Sequence, residues 1–402
     1  MSDSDSEILF NPLLPEFHAD PYPFYKRLRE KAPVYQSPMG FWVLTRYEDC
    51  VAVLRDQRFG REEFQQMLSS VYGDDTENPS LPRSMLFRDP PDHTRLRALV
   101  SKAFTPRMVE TMRGHIQEIV DRLLDRVQGA GRMDVMEDLA YPLPVTVICE
   151  MLGVPVDDHA SIRGWSADIA RSLDAIGLPT DQDIVERGRK ARRALADYFR
   201  RLVPERRARP QQDLLSGLIA AEEQGDKLSG NEIIAMCLLL FIAGHETTVN
   251  LIGNGTLALL RHPDQLRKLQ AEPGLIGNAV EELLRYDSPV QRTARITNTD
   301  AEVGGQPMPK GTMVITALGA ANRDPAQFPE PDVLDVARKE PRHISFGFGI
   351  HFCLGAPLAR VEGQLALGTL LRRMPRLALA EARPEWRESS VLRGLKRLNV
   401  SF

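Results

Sequence analysis

A long apolar segment near the middle of the chain places the strongest constraint on its fold. This segment runs from about Ser229 to Arg261, and its first half is apolar on every helical face. Such a pattern is typical of a helix buried inside a helical protein. The richest apolar run, Met236 to Ala243, is shorter than the about 20 residues that a bilayer span requires. We therefore expect a central core helix and no membrane anchor.

Amphipathic segments lie on both sides of this helix. Apolar residues within 116–127 recur at the spacing of one helical face. Similar patterns cover 21–31, 138–152, 184–203, 263–271, 275–287 and 356–373. These segments predict a mainly α fold.

Predicted strands are few and short. Residues 34–36 and 41–45 flank Ser37-Pro38-Met39-Gly40, whose proline and glycine suit a type I turn. Further strands are predicted at 293–297, 302–304, 312–316 and near the C-terminus, whereas the polar stretches 59–92 and 204–213 are predicted as loops. The small β region and the helices are expected to form a single domain over residues 1–402.

Charge and cysteine content exclude several classes of protein. The net charge is −4, with 51 Lys and Arg against 55 Asp and Glu, which gives no reason to expect a nucleic-acid partner. The four cysteines lie far apart and form no CxxC pair, and the N-terminus carries no basic leader. This usage is typical of the reducing cytoplasm.

One cysteine stands in an unusual loop. Residues 346–355 read Phe-Gly-Phe-Gly-Ile-His-Phe-Cys-Leu-Gly, and glycines at 347, 349 and 355 allow a tight turn close to a flat group. Cys353 directly precedes a predicted helix, whose free N–H groups would stabilise a thiolate. A thiolate held in this way is the proximal ligand of an oxygen-activating haem.

Other readings of these residues are weaker. A lone cysteine is usually a small buried apolar residue, and we interpret Cys50, Cys149 and Cys237 in that way. A dinucleotide loop needs a third glycine where Phe352 stands. FGFGIHFCLG instead matches the FxxGxxxCxG signature of the cytochrome P-450 family at each fixed position, and the chain resembles that family from its ADPYPFYKRLRE segment to its C-terminal strand.

The resemblance implies a triangular helical prism that encloses one haem b, with Cys353 as the iron ligand. Further haem contacts are implied for Phe346, Gly347, Gly355, Ala243 and Gly244. The implied reaction places one atom of O₂ in a C–H bond or alkene and releases the other as water. Its electrons come from NAD(P)H, and a ferredoxin and its reductase are expected as carriers because the chain leaves no room for a reductase domain. The chain resembles the bacterial members of the family, notably those that tailor macrolides and other secondary metabolites, and a cytoplasmic monomer is expected.

Two residue pairs gain a role from this resemblance. Glu282 and Arg285 face the same side of a predicted apolar helix and match the ExxR pair that braces the core of the family. The same spacing occurs in Glu110/Arg113 and Glu186/Arg189. His93 and Arg97 lie one turn apart and suit a haem propionate, although a solvated helix face explains them without the resemblance. Arg295 and His351 resemble the remaining propionate partners.

The central helix contains Ala243-Gly244-His245-Glu246-Thr247-Thr248. Glycine and threonine are poor helix formers, so a local opening of the helix is expected here. Glu246 and Thr247 match the acid–alcohol pair that relays protons in the family and are the predicted catalytic residues. Without a haem, Thr247 bonded to its own helix and Glu246 in an ion pair would be the better reading. A zinc protease motif fails because Val249 stands where a second histidine is required.

The resemblance also places a mainly apolar substrate pocket around the central helix and the segment after Arg285. It should draw on 59–92, the region near 170–182, Leu239, Ile242, Ala243, Val290, Gln291, Ala294 and Leu392. A macrolide, terpenoid or fatty acid would suit such a pocket.

Lys102, Arg342 and Arg360 are predicted to steer an acidic ferredoxin. A peroxide-driven peroxygenase or isomerase and a haem sensor or carrier without turnover are the rival functions.

Overall fold

The expected central helix organises the structure, a computed structural model that describes residues 10–64, 84–175, 178, 180–223 and 228–402. The helix runs from Gly230 to Arg261. Ser229 begins it with a capping box, in which its hydroxyl accepts from the amide of Glu232 at 3.2 Å and the Glu232 carboxylate accepts from the amide of Ser229 at 2.8 Å. By length and composition it could cross a membrane, but 67% of its most apolar window is buried inside the protein, as expected of a core helix.

The helices account for most of the described chain. They are α1 (Pro15–Ala19), α2 (Tyr22–Lys31), α3 (Tyr47–Arg55), α4 (Asp92–Ala103), α5 (Pro106–Thr111), α6 (Arg113–Asp125), α7 (Pro142–Met151), α8 (His159–Ser172), α9 (Gln182–Ala208), α10 (Leu214–Glu223), α11 (Gly230–Arg261), α12 (Pro263–Ala271), α13 (Ile276–Tyr286), α14 (Leu318–Ala321) and α15 (Ala356–Arg373). A short π-helical turn, Met136–Ala140, precedes α7. The central helix α11 packs against α7, α9, α13 and α15.

The strands form small sheets. They are β1 (Val34–Gln36), β2 (Trp42–Leu44), β3 (Phe59–Gly60), β4 (Arg132–Asp134), β5 (Thr293–Thr297), β6 (Ala301–Val303), β7 (Gln306–Met308), β8 (Met313–Thr316), β9 (Ala378–Leu379) and β10 (Asn399–Ser401). One sheet has the order β1-β2-β8-β5-β3, a second has β4-β10-β9, and β6 pairs with β7. The mainly α fold with a small β region is confirmed.

The hydrophobic core positions the functional site. Its largest part surrounds α11, where Phe199, Phe241 and Leu367 are fully buried. A second part lies between α2 and the five-stranded sheet and contains Tyr25 and Ile315. Strand β5 and helix α11 therefore belong to different parts of the core, and the cavity described below has walls from both.

The prediction of a loop at 204–213 is wrong for its first half. Helix α9 continues to Ala208 with Pro204 inside it. A proline removes one helical hydrogen bond, but Leu202 and Val203 are buried next to it. The Arg209 amide closes the final turn on the Glu205 carbonyl at 2.9 Å. Core packing on the preceding turn therefore outweighs the local cost of the proline.

Candidate active site

A cavity of about 390 Å³ lies between the central helix and the cysteine loop. Cys353 lines it together with Ala243, Gly244 and Thr247 of α11. Strand β5 and helix α4 supply further walls, and most of the described lining residues are apolar. The sequence-predicted cysteine and the predicted acid–alcohol helix therefore meet at one enclosed space.

The cysteine loop has the tight backbone that its glycines predict. Gly347 and Gly349 have φ angles of +73° and +70°, which favour glycine. A Cβ atom on Gly349 would lie 2.3 Å from the Leu54 carbonyl oxygen, so the loop presses against α3. The amide of Cys353 donates to the Phe346 carbonyl at 2.9 Å. Phe346, Gly347 and Gly355 all line the cavity, as predicted haem contacts should.

The N-terminus of α15 points its amides at the thiol. Burial raises the pKa of Cys353, while hydrogen bonds from the amides of Gly355 and Ala356 and the charge of Arg97 lower it. For the free thiol burial prevails. The predicted amide donors are nevertheless in place for a sulfur that carries negative charge as a metal ligand.

The other three cysteines have the structural character that we predicted. Cys50, Cys149 and Cys237 are buried. Burial raises the pKa of each, to about 12 for Cys149. They are apolar core residues.

The predicted propionate partners lie together on the cavity wall. His93, Arg97, Arg295 and His351 all line it. The rings of His93 and His351 are 4.3 Å apart between centroids, and the Nη1 atom of Arg295 donates to the Ala294 carbonyl at 2.9 Å. The family resemblance, not the solvated-face reading, explains this placement.

Arg61 joins this cluster and was missed in the sequence. Its Nη2 atom donates to the Thr293 hydroxyl at 2.6 Å, and its amide donates to the Asp89 carboxylate at 2.9 Å. Its Nε atom is buried and has no hydrogen-bond partner in the described chain. The sequence carries no pattern that marks Arg61, which lies within the stretch 59–92 that we assigned to a loop; in the structure it directly follows strand β3.

The positive charges of this cluster are buried, repel one another and are only partly compensated by Asp89. Burial lowers the pKa of Arg61 to about 10, and Asp89 opposes that shift. Burial, followed by the charges of Arg61 and Arg295, holds the pKa of His351 far below its ordinary value. No Asp or Glu occurs among the described residues that line the cavity. Buried cations of this kind require an anionic ligand.

The Glu282–Arg285 pair forms a buried network. Arg285 donates from Nε and Nη2 to the two Glu282 oxygens at 2.7 and 2.9 Å, and both residues are 0% exposed. Arg285 also donates to the carbonyls of Asn322, Pro331 and Val333. Arg338, which the sequence did not identify, adds a contact to Glu282 at 3.1 Å. The competing pairs Glu110/Arg113 and Glu186/Arg189 are ion pairs on the surface.

The acid–alcohol pair adopts the geometry of the alternative reading. The Thr247 hydroxyl donates to the Ala243 carbonyl at 3.1 Å. The Glu246 carboxylate is ion-paired with Arg387 at 2.7 Å, and its side chain is 2% exposed. Helix α11 runs through this segment without interruption, so the expected opening is wrong. A Cβ atom on Gly244 would come within 3.1 Å of Ile148, which explains this glycine by helix packing.

The predicted pocket residues divide into two groups. Leu239, Val290 and Ala294 line the cavity, whereas Ile242, Gln291 and Leu392 are not among its described lining residues. Ile242 packs against the main core. Gln291 turns toward α2, where its Nε2 atom donates to Tyr22 at 3.2 Å. Leu392 forms a bridge with Val290, and its neighbour Val391 faces the cavity instead.

The two predicted pocket loops are described only in part. From 59–92 the cavity receives Arg61, Phe64, Met85, Leu86 and Phe87, and 65–83 lie outside the described residues. From 170–182 it receives Leu173, and 176, 177 and 179 lie outside the described residues. The described lining of both segments is mainly apolar.

Comparisons with known proteins decide the family. Residues 8–375 match the sequence model of the family Cytochrome P450. The polyketide biosynthesis cytochrome P450 PksS of Bacillus subtilis (strain 168) is 42% identical over 411 residues, which cover 98% of this chain and 99% of that protein. The chain belongs to the cytochrome P450 family.

Solved structures agree. P450BioI, solved in complex with a hexadec-9Z-enoic acid ligated acyl carrier protein, has a TM-score of 0.90 at 43% identity and covers 96% of this chain and 99% of its own. The myxobacterial cytochrome P450 CYP267B1, solved with myristic acid, has a TM-score of 0.89 at 44% identity and covers 97% of this chain and 98% of its own. The predicted cytochrome P450 fold is therefore confirmed, and this P450 is a haem-thiolate oxidoreductase that uses O₂ and electrons from NAD(P)H through redox partners.

The residues present in this P450 fit haem b. Cys353 is the cysteine that lines the cavity, and it supplies the sulfur ligand that the family requires. The cluster of Arg61, Arg97 and Arg295 lacks a carboxylate among the described lining residues, and the unpartnered Nε atom of Arg61 marks the deficit. The two propionates of haem b are anions that would satisfy it. The flat group expected against the glycine loop is then the porphyrin.

Proposed function

We propose that this P450 hydroxylates or epoxidises a lipophilic small molecule with electrons from a ferredoxin and its reductase. The observation that carries the proposal is the apolar cavity that Cys353 shares with Thr247. A macrolide, terpenoid or fatty acid has the required apolar surface. The fatty acyl ligands of P450BioI and CYP267B1 support a lipophilic substrate.

The haem would supply the reactive iron, and the residues of the chain would hold the haem in place. Bound haem b supplies the iron on which O₂ is activated. Cys353 would hold the iron, and Arg61, Arg97 and Arg295, with His93 and His351, would hold the propionates. Glu282 and Arg285 brace the helix and loops beside the cysteine segment.

Glu246 and Thr247 are proposed to handle protons. Thr247 faces the cavity, and its hydroxyl can turn from the Ala243 carbonyl toward a reacting oxygen. Glu246 is held away from the cavity by Arg387, so it must leave this ion pair before it can pass a proton to the Thr247 side. In this proposal, the contacts of Glu246 with Arg387 and of Thr247 with Ala243 are the resting arrangement of the relay.

The electron donor is proposed to dock near the cysteine loop. Arg342 is 76% exposed in its side chain and contacts Glu340 at 3.3 Å. Arg360 is tied to Glu281 at 2.6 Å and stacks over Phe346, so it is less available for steering than the sequence suggested. Lys102 completes the proposed basic set. An acidic ferredoxin fits these charges.

Three further properties complete the proposal. Residues 1–402 act as one catalytic domain, the protein works as a monomer, and it is located in the cytoplasm. The continuous family match over residues 8–375 supports the single domain. Light scattering on the haem-loaded protein measures the oligomeric state directly.

The test compares O₂ with peroxide as oxidant. Haem-loaded protein is given O₂, NAD(P)H, ferredoxin and reductase, or H₂O₂ alone, with tetradecanoic acid as substrate. We expect product from the first mixture. Thr247→Ala should consume NAD(P)H while losing about ten-fold or more of the product formed per NAD(P)H, and Thr247→Ser should retain most of it.

Three results would contradict the proposal. Turnover with H₂O₂ but none with O₂ and ferredoxin favours the peroxygenase. The absence of substrate-stimulated NAD(P)H consumption favours a haem carrier. Unchanged coupling in Thr247→Ala removes the proton role of that residue.

A further inference from the structure

A buried arginine interrupts the apolar part of the cavity. Arg292 precedes strand β5, is 4% exposed and lines the cavity close in sequence to Thr293 and Ala294. It is distinct from the cluster of Arg61, Arg97 and Arg295 assigned to the haem. An apolar substrate gives no reason for a guanidinium group here.

The contacts of Arg292 leave one end of its guanidinium free. Nε and Nη2 donate to the Ser390 hydroxyl at 3.1 and 2.9 Å. The Ser390 hydroxyl and amide donate in turn to the Asp174 carboxylate, at 2.6 and 2.9 Å. In the described chain no hydrogen bond is made by Nη1.

Asp174 only partly balances this charge. Its Oδ1 atom lies 3.9 Å from Arg292 Nη2, beyond hydrogen-bond distance. The same oxygen already accepts both bonds from Ser390. Asp174 therefore forms a long ion pair with Arg292 and orients it through the serine, but it leaves the Nη1 donors without an acceptor.

Two more polar atoms around Arg292 lack partners. The Asp174 Oδ2 atom and the Tyr25 hydroxyl are buried and make no hydrogen bond to a described residue. Burial raises the pKa of Tyr25, and the charge of Arg292 opposes this shift. Tyr25 and Asp174 are not among the described residues that line the cavity, so within this group only Arg292 offers donors to a ligand there.

The charged residues that line the cavity favour an anionic ligand. No Asp or Glu occurs among its described lining residues, and the propionates of the haem account for the separate arginine cluster. A carboxylate matches the vacant N–H donors of Nη1, and a charge-assisted hydrogen bond is stronger than one to a neutral oxygen. An ester or ketone would use the same donors without compensating the charge.

We propose that Arg292 binds the carboxylate of an acidic lipophilic substrate, whose apolar body lies along the cavity that Cys353 and Thr247 also line. This inference rests on the proposed monooxygenase function and narrows its substrate class to carboxylic acids. Ser390 and Asp174 are positioning residues that hold the guanidinium toward the ligand.

The test compares free acids with their methyl esters on haem-loaded protein. Decanoic, tetradecanoic and hexadecanoic acids and their esters are titrated, and dissociation constants come from the Soret shift that follows displacement of the iron-bound water. Wild type should bind the best acid about ten-fold or more tighter than its ester. Arg292→Met should remove that preference and leave ester binding unchanged, and Arg292→Lys should restore part of it.

A surface variant serves as the control, and a separate turnover assay distinguishes failure of this proposal from failure of the monooxygenase function. Arg397→Met, which removes an exposed arginine outside the cavity lining, should keep the acid preference. Equal affinity for acid and ester in wild type, no shift with any of the acids, or an equal loss of both in Arg292→Met would overturn the proposal. If Arg292→Met fails to bind haem, the wild-type and Arg292→Lys preferences decide. Failure of the monooxygenase function itself would appear separately, as missing NAD(P)H-dependent turnover with an intact Soret shift.

Discussion

At the scale of single residues, Glu362 is a carboxyl group buried outside the cavity lining. It lies on α15 and is 1% exposed. Burial raises its pKa to about 8, with Thr248 opposing. The carboxyl is therefore mainly protonated at neutral pH.

This raised pKa predicts a pH-dependent stability. Between an unfolded pKa of about 4.5 and a folded pKa of about 8, the folded state binds more protons than the unfolded state. The contribution of Glu362 is favourable below that range and is lost as the pH rises through it. Glu362→Gln should therefore gain stability relative to wild type, by about a few kcal/mol, on going from pH about 5 to pH about 9.

Denaturant unfolding of the haem-loaded protein at both pH values measures this effect. Glu388→Gln, on a side chain that is 77% exposed, is the matched control and should follow the wild-type curve. Parallel pH curves for Glu362→Gln and wild type would show that the carboxyl is not protonated in the folded state.

Sequence reasoning identified the site residues that belong to a motif and missed those that belong to none. Cys353 and His93 were identifiable because fixed spacings mark them, and Arg295 was identifiable through the family resemblance. Arg61 and Arg338 carry no such pattern, and only the folded chain brings them to the haem cluster and to Glu282. Gln291 was misplaced because adjacency to Val290 does not tell which side chain faces the cavity.

At the scale of elements, the Glu282–Arg285 pair makes α13 a brace. Arg285 ties α13 to the carbonyls of Asn322, Pro331 and Val333, and Glu282 accepts from the Asp335 amide at 3.0 Å. The segment that leads toward the cysteine loop is thereby fixed to the helical core. Breaking such a buried pair leaves an uncompensated charge.

Arg285→Met should therefore destabilise the protein by about 3–5 kcal/mol and weaken haem retention. The chain offers a control with the same spacing: Arg189→Met removes a surface partner of Glu186 and should cost less than about 1 kcal/mol. Denaturant unfolding and the haem content of purified protein measure both. Similar losses in the two variants would refute the bracing role.

Helix and strand bounds were predictable where local signals and packing agree. Helix α12 matches its predicted range, 263–271, because Pro263 begins it and its apolar residues keep one face. Helix α15 matches 356–373 for similar reasons, with Pro357 in its first turn. Helix α9 runs past its prediction because buried Leu202 and Val203 keep Pro204 helical. A local sequence pattern does not show whether core packing outweighs the cost of a proline inside a helix.

At the scale of the whole molecule, the central claim is that one thiolate holds a haem in a cavity built from distant elements. The fold could be predicted as mainly helical, and the cysteine signature identified the family. The shape of the cavity and the unpaired donors of Arg292 could not be predicted from the sequence, because they depend on how α11, β5 and the C-terminal segment pack together. The activity of the protein therefore depends most on the bond between Cys353 and iron.

The absorption spectrum of the reduced, carbon-monoxide-bound protein tests that bond most directly. Wild type should show the long-wavelength Soret band of a thiolate complex, and Cys353→Ser should lose it. Cys149→Ala, which alters a buried cysteine of the core, should keep the band. A wild-type spectrum without the band, or a Cys353→Ser spectrum that retains it, would contradict the account.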